Sequence, residues 1–158
     1  MITIGRDGHP IIEAEATIRY ELAHGRTWCR FFEGLKNEKI LGSRCPQCER
    51  VLVPARTFCP RCFTDMGDWV ELPPEGELAG WSLTELEYFG MPTRPPFVTG
   101  VINLHGADCS FMHLIGGIDL SSLDAVRSAI WNGMTVRAVW NERRTGCIMD
   151  IKHFEPVP

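Results

Sequence analysis

Apolar residues recur along this chain at two different periods, and the change falls near residues 73–74. In the first part, four apolar side chains follow the i, i+3, i+4, i+7 spacing of one helical face: Trp28, Phe31, Phe32 and Leu35. We therefore predict helical structure from Ala14 to Ile40, with Gly25 separating two short helices. Residues 1–13 carry little pattern, and we expect a loosely held arm there. The helical stripe would cover either the chain's own core or a partner protein, and the pattern leaves both open.

After residue 74, apolar and polar residues alternate, which is the period of β-strands. The pattern predicts five strands: Glu75 to Glu87, Phe97 to Leu104, Cys109 to Ile115, Met134 to Trp140 and Cys147 to Phe154. A turn over residues 105–108 joins the second strand to the third. A short helix that opens at Ser121, with Asp124 as its capping partner, precedes the fourth strand. This order of three strands, a short helix and two strands is typical of an OB-fold barrel. Gly76 and Gly80 would allow the first strand to curve, as the barrel requires.

Between these two parts lie two CxxC pairs separated by ten residues: Cys45, Cys48, Cys59 and Cys62. A CxxC turn lets two sulfurs bind one ion, and two such turns on facing hairpin tips complete a tetrahedral shell. This spacing predicts a rubredoxin-like ribbon that binds one structural zinc ion. Four cysteine ligands leave no open position for a water, so we expect no catalysis at the metal. Iron with the same ligands, as in a rubredoxin-like electron carrier, stays an alternative. Redox catalysis by the two CxxC pairs as free dithiols is a weaker alternative.

Composition narrows the class of protein. The 158 residues carry 44% hydrophobic and 23% charged side chains, which is ordinary for a globular chain. The net charge of −4 does not favour general binding to nucleic acid or to an anionic membrane surface. The start of the sequence lacks the apolar run of a signal peptide, and no apolar run is long enough to span a membrane. Seven cysteines, four of them in CxxC pairs, favour a reducing compartment. We expect a cytoplasmic protein.

Other candidate chemistry is weaker. Cys109 and His113 lie four residues apart on one predicted strand and so face the same side, and His105 is near them in sequence. No orienting residue or oxyanion-hole motif accompanies them, so we interpret them as packing residues. Of the cations available to the barrel, Arg143 and Arg144 fall in the turn between strands four and five, where OB-folds often meet ligands.

The sequence resembles the zinc-ribbon/OB-fold family of acyl-CoA-associated proteins that accompany thiolases. The stretches that carry the resemblance are WCRFFEGL, RCPQCERVLVPARTFCPRC, GELAGWSLTELE, PPFVTGVINLHGADCSFMHLIGGID, NGMTVRAVW and IKHFEPV, which cover residues 28–157. The sequence departs from the family's pattern in the HGAD turn, which lacks an acidic-glycine pair, and in a longer helix at residues 121–130.

The resemblance implies a mainly β protein in three parts: a helical docking segment over residues 1–40, a zinc ribbon over 41–72 and a five-stranded OB-fold barrel over 73–158. It also implies a non-catalytic subunit that forms a hetero-oligomer with a thiolase-like protein and helps to bind coenzyme A or an acyl-CoA. The resemblance places partner docking at the stripe of Trp28, Phe31, Phe32 and Leu35. Coenzyme A carries phosphates, so we expect Arg94, Arg143 and Arg144 to contact it. An OB-fold that binds nucleic acid is the competing interpretation.

Overall fold

The computed structural model describes residues 2–12, 17–91 and 93–157. The chain starts with a small hairpin of β1 (Ile2–Ile4) and β2 (Pro10–Ile12). The sequence predicted only a loose arm here. The hairpin forms because the turn closes on itself: the N–H of Gly5 donates to the carbonyl of His9, and Gly8 adopts a φ of 76°. Such a φ suits glycine, which has no Cβ to clash.

A single helix follows, α1 (Gly25–Lys36). The prediction of helix from Ala14 to Ile40 is therefore wrong for residues 17–24 and 37–40. Residues 14–16 lie outside the described residues, residues 17–24 have no regular secondary structure, and Ile40 begins a strand. Among the described residues, no helix is long and apolar enough to cross a membrane.

The ribbon is a three-stranded antiparallel sheet with the order β4-β3-β5. Its strands are β3 (Ile40–Arg44), β4 (Val51–Leu52) and β5 (Trp69–Leu72). The buried hydroxyl of Ser43 in β3 accepts a hydrogen bond from the N–H of Arg56 and donates to its carbonyl, at 2.9 and 3.1 Å. The central strand is thereby held to the segment that leads to the second CxxC pair.

The second half is a closed five-stranded barrel. Its elements are β6 (Glu75–Thr84), β7 (Phe97–Leu104), β8 (Phe111–Ile115), α2 (Leu123–Ala129), β9 (Thr135–Trp140), a 3-10 helix (Ile148–Asp150) and β10 (Ile151–Pro156). The strand order is β10-β8-β7-β6-β9, with β8 and β10 parallel and the other pairs antiparallel. A bulge between Leu78 and Gly80 bends β6. The predicted fold class, a ribbon followed by an OB-fold barrel, is confirmed.

Several predicted bounds in the barrel are wrong: the fourth strand, for example, begins at Thr135 and not at Met134, and the last ends at Pro156 and not at Phe154. The first strand ends at Thr84 and not at Glu87, and the third begins at Phe111 and not at Cys109. The last begins only at Ile151, because the residues before it form the 3-10 helix. The helix between strands three and four is capped by Ser122 and not by Ser121: the Ser122 hydroxyl accepts from the N–H of Ala125.

One hydrophobic core runs through all three parts. It joins Phe31 and Leu35 of α1 and Val51 of the ribbon to barrel residues such as Leu78 and Phe154. Gly34 allows the closest approach of α1 to the ribbon, since a Cβ at that position would lie 2.8 Å from the side chain of Leu41. The helix, ribbon and barrel therefore support one another.

Candidate metal centre and ligand groove

The four CxxC cysteines converge at one point of the ribbon. Their Sγ atoms all lie within 4.8 Å of one another. The Sγ atoms of Cys48 and Cys59, which come from different pairs, are 3.7 Å apart. Sulfurs about 2.3 Å from a tetrahedral zinc ion would be separated by about 3.8 Å. The Cys48–Cys59 pair therefore has the spacing that a four-thiolate ion requires, and the other sulfurs lie close enough to complete the shell.

The two cysteine turns repeat the same hydrogen bonds. In the first, the N–H of Cys45 donates to the carbonyl of Arg50 and the N–H of Glu49 donates back to Cys45; in the second, Cys59 does the same with Thr64 and Phe63. The residue four positions after each first cysteine takes a positive φ, 59° and 55°. This repetition is typical of paired zinc knuckles, in which each turn supplies two sulfurs to one ion.

The thiols of the cluster differ in acidity. The backbone N–H of Cys62 is the main cause that lowers the pKa of Cys59 to about 7, whereas desolvation and the neighbouring sulfurs raise the pKa of Cys62 to about 12. Four thiolates this close repel one another, and a divalent cation removes that repulsion. The donor set and its spacing are thus those of a metal-binding site. Soft thiolates select zinc or iron among the common ions.

A second feature lies on the outer face of β7 and β8. Thr99, Met112 and Leu114 line a cavity of 290 Å³ there, between Tyr88 of the β6–β7 loop and Met149 of the β9–β10 connection. In OB-folds, ligands commonly bind on this face of the barrel and between these two loops.

This cavity continues in both directions. It shares Met112 and Ile148 with a cavity of 440 Å³ beside α1, which Trp28, Phe32 and Pro54 line. In the other direction it shares Leu114 and Met149 with a cavity of 360 Å³, lined among others by Pro96, Asn141 and His153. Small-molecule sites are typically about 300–1,000 Å³. We call the continuous feature the barrel groove.

The two ends of the barrel groove differ in character. The α1 end is lined mainly by aromatic and aliphatic side chains. At the other end lie Arg94 and Lys152, and an adjoining cavity that shares Asn141 and Lys152 is lined also by Arg143. All three cations are exposed. The groove therefore presents an apolar surface at one end and two cations, Arg94 and Lys152, at the other, and the adjoining cavity adds Arg143 together with the carboxylate of Glu142.

Arg144 lies elsewhere. Its guanidinium donates to the carbonyls of Lys36 and Asn141 at 3.0 and 2.7 Å and pairs with Glu38 at 3.0 Å. It thus ties the β9–β10 connection to the end of α1. We expected Arg144 to contact a ligand together with Arg143, but of the two only Arg143 lines the cavity that adjoins the groove. Lys152, Asn141 and His153 were missed, because only barrel closure brings their strands beside Arg94.

The aromatic stripe of α1 divides between the core and the surface. Phe31 and Leu35 are 1% and 0% exposed and pack inside the chain, whereas Trp28 is 47% exposed. His24, Trp28 and Phe32 form an aromatic group with ring centroids 5.5–6.3 Å apart. Of the four residues predicted for docking, only Trp28 and Phe32 are thus accessible at the surface.

The Cys109 and His113 side chains are both engaged in structural contacts. The Cys109 thiol donates to the carbonyl of Val53 and accepts from its N–H, each at 3.2 Å. His113 Nε2 lies 3.1 Å from the carbonyl of Ile148, and its ring stacks on Phe111. These contacts support their interpretation as packing residues.

Comparison with known proteins finds two family models in the same order as the two domains. Residues 32–67 match the ChsH2 rubredoxin-like zinc ribbon domain, and residues 69–141 match the ChsH2 C-terminal OB-fold domain. Among solved structures, the chain is similar to one described as Ltp2-ChsH2(DUF35) aldolase, with a TM-score of 0.63, 22% identity, and coverage of 86% of this chain and 98% of that one. A DUF35-family protein of unknown function from Sulfolobus solfataricus gives a TM-score of 0.54 and 24% identity over 70% of this chain and 75% of its own. No curated protein matches.

Proposed function

The chain belongs to the ChsH2 family, and we propose that it is a non-catalytic accessory subunit of a thiolase-like enzyme that acts on acyl-CoA thioesters. In this role it forms a hetero-oligomer with the thiolase-like protein, which carries the chemistry of carbon–carbon bond cleavage or condensation. The accessory chain supplies part of the binding site for coenzyme A and its acyl group.

The observation that carries this proposal is the barrel groove with its two different ends. An acyl-CoA has phosphates at one end and an apolar acyl group at the other. Arg94, Arg143 and Lys152 are suited to phosphates, because hydrogen bonds from charged donors to phosphate oxygens are stronger than those from neutral donors. The apolar end beside Trp28 and Phe32 is suited to the acyl group. The thioester would then lie between the two ends, along Met112 and Leu114.

A partner is supported by two further points. The similar solved structure is described as an aldolase of Ltp2 with ChsH2(DUF35), so a chain of this type is found together with a second protein. The barrel groove is open to solvent along one side, so a partner's surface would be needed to enclose a ligand. Within this chain, the best candidate for a nucleophile, Cys109, is held by the backbone of Val53.

The metal ion has a structural role in this proposal. We propose one zinc ion, bound by Cys45, Cys48, Cys59 and Cys62, that holds the ribbon together. A closed shell of four sulfurs offers no site for a substrate, so the ion would stabilise the ribbon and take no part in the reaction.

The first experiment is to co-express the chain with a thiolase-like protein of the same organism and to measure co-elution and thiolytic activity. We expect a stable complex and a thiolase-like protein that loses activity alone. A thiolase-like protein that is equally active alone, and that never co-elutes with this chain, contradicts the proposal.

The second experiment measures the binding of coenzyme A to the complex by calorimetry. Arg94→Gln, Arg143→Gln and Lys152→Gln should each weaken binding about tenfold, or about 1.4 kcal/mol, because each removes a charged donor. Arg127→Gln is the matched control, since Arg127 is an exposed cation of α2 that lines none of these cavities. Equal affinities in all four variants, or tighter binding of a single-stranded oligonucleotide than of coenzyme A, would exclude the proposed ligand.

A further inference from the structure

The β9–β10 connection, residues 141–150, is anchored by its own hydrogen bonds at both ends. At the start, the backbone N–H of Asn141 donates to the carbonyl of Asp150, and the side-chain amide of Asn141 donates to the carbonyl of Met149. Towards the end, the buried carboxylate of Asp150 accepts from the N–H groups of residues 145–147. These bonds leave a short stretch between the two anchors that needs a contact of its own.

Arg144 supplies this contact. Its Nε donates to the carbonyl of Lys36 at 3.0 Å, and its Nη1 donates to the carbonyl of Asn141 at 2.7 Å and pairs with the carboxylate of Glu38 at 3.0 Å. By contrast, residues 142–143 form no hydrogen bond or ion pair with any other residue that the structure describes. We call the three contacts the Arg144 clamp. The position of the whole stretch therefore depends on it.

The end of α1, to which the Arg144 clamp attaches, is itself well held. The carbonyl of Lys36 lies in the last turn of the helix, where carbonyls lack partners within the helix and favour cationic donors. Glu38 adopts a φ of 60°, and its N–H donates to the carbonyl of Leu35 at 3.0 Å. Leu35 is buried in the core. The clamp thus fixes the connection to a rigid part of the molecule.

The clamped stretch carries two opposite charges into one cavity. Glu142 and Arg143 are both exposed, and both line the cavity that adjoins the cationic end of the barrel groove. If the stretch moved freely, the carboxylate would offset the attraction of the guanidinium for a phosphate, because neighbouring charges of opposite sign largely cancel. A fixed backbone lets the guanidinium approach a phosphate without the carboxylate. The placement of the stretch should therefore affect the affinity for an anionic ligand.

We propose that Arg144 is a positioning residue for ligand binding. Through its clamp on α1 it holds Arg143 where that side chain meets the phosphates of coenzyme A, and it does not touch the ligand itself. A guanidinium suits this role, because its rigid fork of five N–H donors reaches several acceptors at once, whereas a lysine has a single nitrogen. The choice of coenzyme A as ligand rests on the proposed function.

The test is a double-mutant cycle, with coenzyme A binding to the complex measured by calorimetry. Arg144→Gln should weaken binding about tenfold, as predicted for Arg143→Gln. In the Arg143→Gln background it should cost less than about twofold more, because the residue through which it acts is already absent. Arg137→Gln is the matched control: it removes an ion pair of 2.7 Å with Glu75, and Arg137 lines none of these cavities. This control should bind coenzyme A like the wild type.

Arg144→Lys separates the position of the connection from its charge. The variant keeps the positive charge, but one nitrogen cannot replace the contacts of two, so coenzyme A should still bind about fivefold more weakly than to the wild type. Trypsin gives a readout without ligand: cleavage of the full-length chain after Arg143 should be about fivefold faster in both Arg144 variants, because loss of the clamp raises the population of the open connection. Zinc content and thermal unfolding check that each variant folds.

Three results would overturn the inference. Arg144→Lys that binds coenzyme A like the wild type would show that charge alone matters. Losses in affinity that add in the double variant would show that Arg143 and Arg144 act independently. Cleavage rates that do not change without the clamp would show that the connection does not depend on it. A wild-type complex that binds no coenzyme A is a different result, because it contradicts the proposed function, and the inference fails with it.

Discussion

Asp108 and Val51 exchange two hydrogen bonds across the junction of ribbon and barrel. The N–H of Val51 donates to the Asp108 carboxylate, and the N–H of Asp108 donates to the Val51 carbonyl, both at 2.8 Å. The guanidinium of Arg50 adds a bond to the Asp108 carbonyl at 2.7 Å. Because Val51 lies in β4 and Asp108 in the turn between β7 and β8, one carboxylate links the metal-binding half of the chain to the half that carries the groove.

Asp108→Ala should therefore destabilise the chain by about 1–2 kcal/mol, because the N–H of Val51 loses its acceptor while the rest of the junction stays in place. Thermal unfolding measures the change. Asp124→Ala is the control: the Asp124 side chain is 96% exposed and its ion pair with Arg127 is long, 3.9 Å. Such a pair contributes little. Equal melting temperatures for the two variants would show that the junction does not depend on Asp108.

Removal of the metal should unfold the ribbon first. In Cys48→Ser we expect less than one equivalent of zinc, lower stability and loss of partner binding, since structural zinc sites of this kind contribute most of the folding free energy of their module. The measurements are metal analysis and thermal unfolding, each repeated on the wild type after chelation. Cys29→Ser, which changes an exposed cysteine outside the cluster, should keep its zinc and its stability.

Two outcomes would contradict this view of the metal. One is a Cys48→Ser chain that folds and binds its partner normally. The other is a coloured protein with stoichiometric iron, which would favour an electron carrier.

The ribbon and the barrel could be predicted from sequence because their signals are local. The CxxC turns set sulfur positions within a few residues, and each barrel strand buries one face, so alternation marks it. Residues 17–24 were predicted wrongly because Ile18 and Leu22 have helical spacing, but all eight residues are exposed, so no apolar face is buried that would stabilise a helix. The 3-10 helix at 148–150 was missed for a different reason. The buried carboxylate of Asp150 accepts from the N–H groups of Thr145, Gly146 and Cys147, and these contacts override the alternation.

The candidate groove could be predicted only in part. The OB-fold order indicates that the turn between strands four and five meets a ligand, and Arg143 and Arg144 were chosen on that basis, whereas Arg94 was chosen only as a cation for the phosphates of coenzyme A. The sequence does not show that Arg144 forms an ion pair with Glu38 and a hydrogen bond with the end of α1. Nor does it show that Met112 and Ile148 join the barrel to the aromatic side chains of α1, because residues from three separate elements meet there only after folding.

Gly116 should tolerate no side chain, because the ring of His153 packs directly on it. A Cβ at this position would lie 2.5 Å from Cγ of His153 and 2.6 Å from its Nδ1. Gly116→Ala must displace the ring, which lines the cationic end of the groove, at a cost of about 1–3 kcal/mol. We expect a lower melting temperature and weaker binding of coenzyme A.

The matched control for this substitution is Gly80→Ala in β6. No atom lies within 4 Å of a Cβ at that position, so the substitution should be neutral, or stabilising by up to about 1 kcal/mol through the unfolded state. If both alanine variants melt like the wild type, the ring of His153 does not need the space at Gly116.

Stability should fall on mild acidification because of His113. Burial lowers the pKa of His113 below the usual value of 6.5, an effect that the carbonyls of Ile148 and Leu114 oppose and the nearby His153 reinforces. The unfolded chain therefore takes up a proton near pH 6.5, whereas the folded chain does so only at lower pH. The unfolded state binds more protons in this interval, so the free energy of unfolding decreases as the pH falls below about 6.5.

The slope that one such histidine adds is at most about 1.4 kcal/mol per pH unit. The pKa of His153 is also lowered, mainly by partial burial and further by the charge of Lys152. His153 therefore adds to the acid slope of the unfolding free energy in the same direction. Chemical unfolding between pH 7.5 and 5.5 in excess zinc should thus give a shallower acid slope for His113→Gln than for the wild type. Protonation of the metal-binding cysteines affects both proteins alike and cancels in the difference. His105→Gln, in an exposed turn, should keep the wild-type slope, and a His113→Gln chain that also keeps it would exclude His113 as the source.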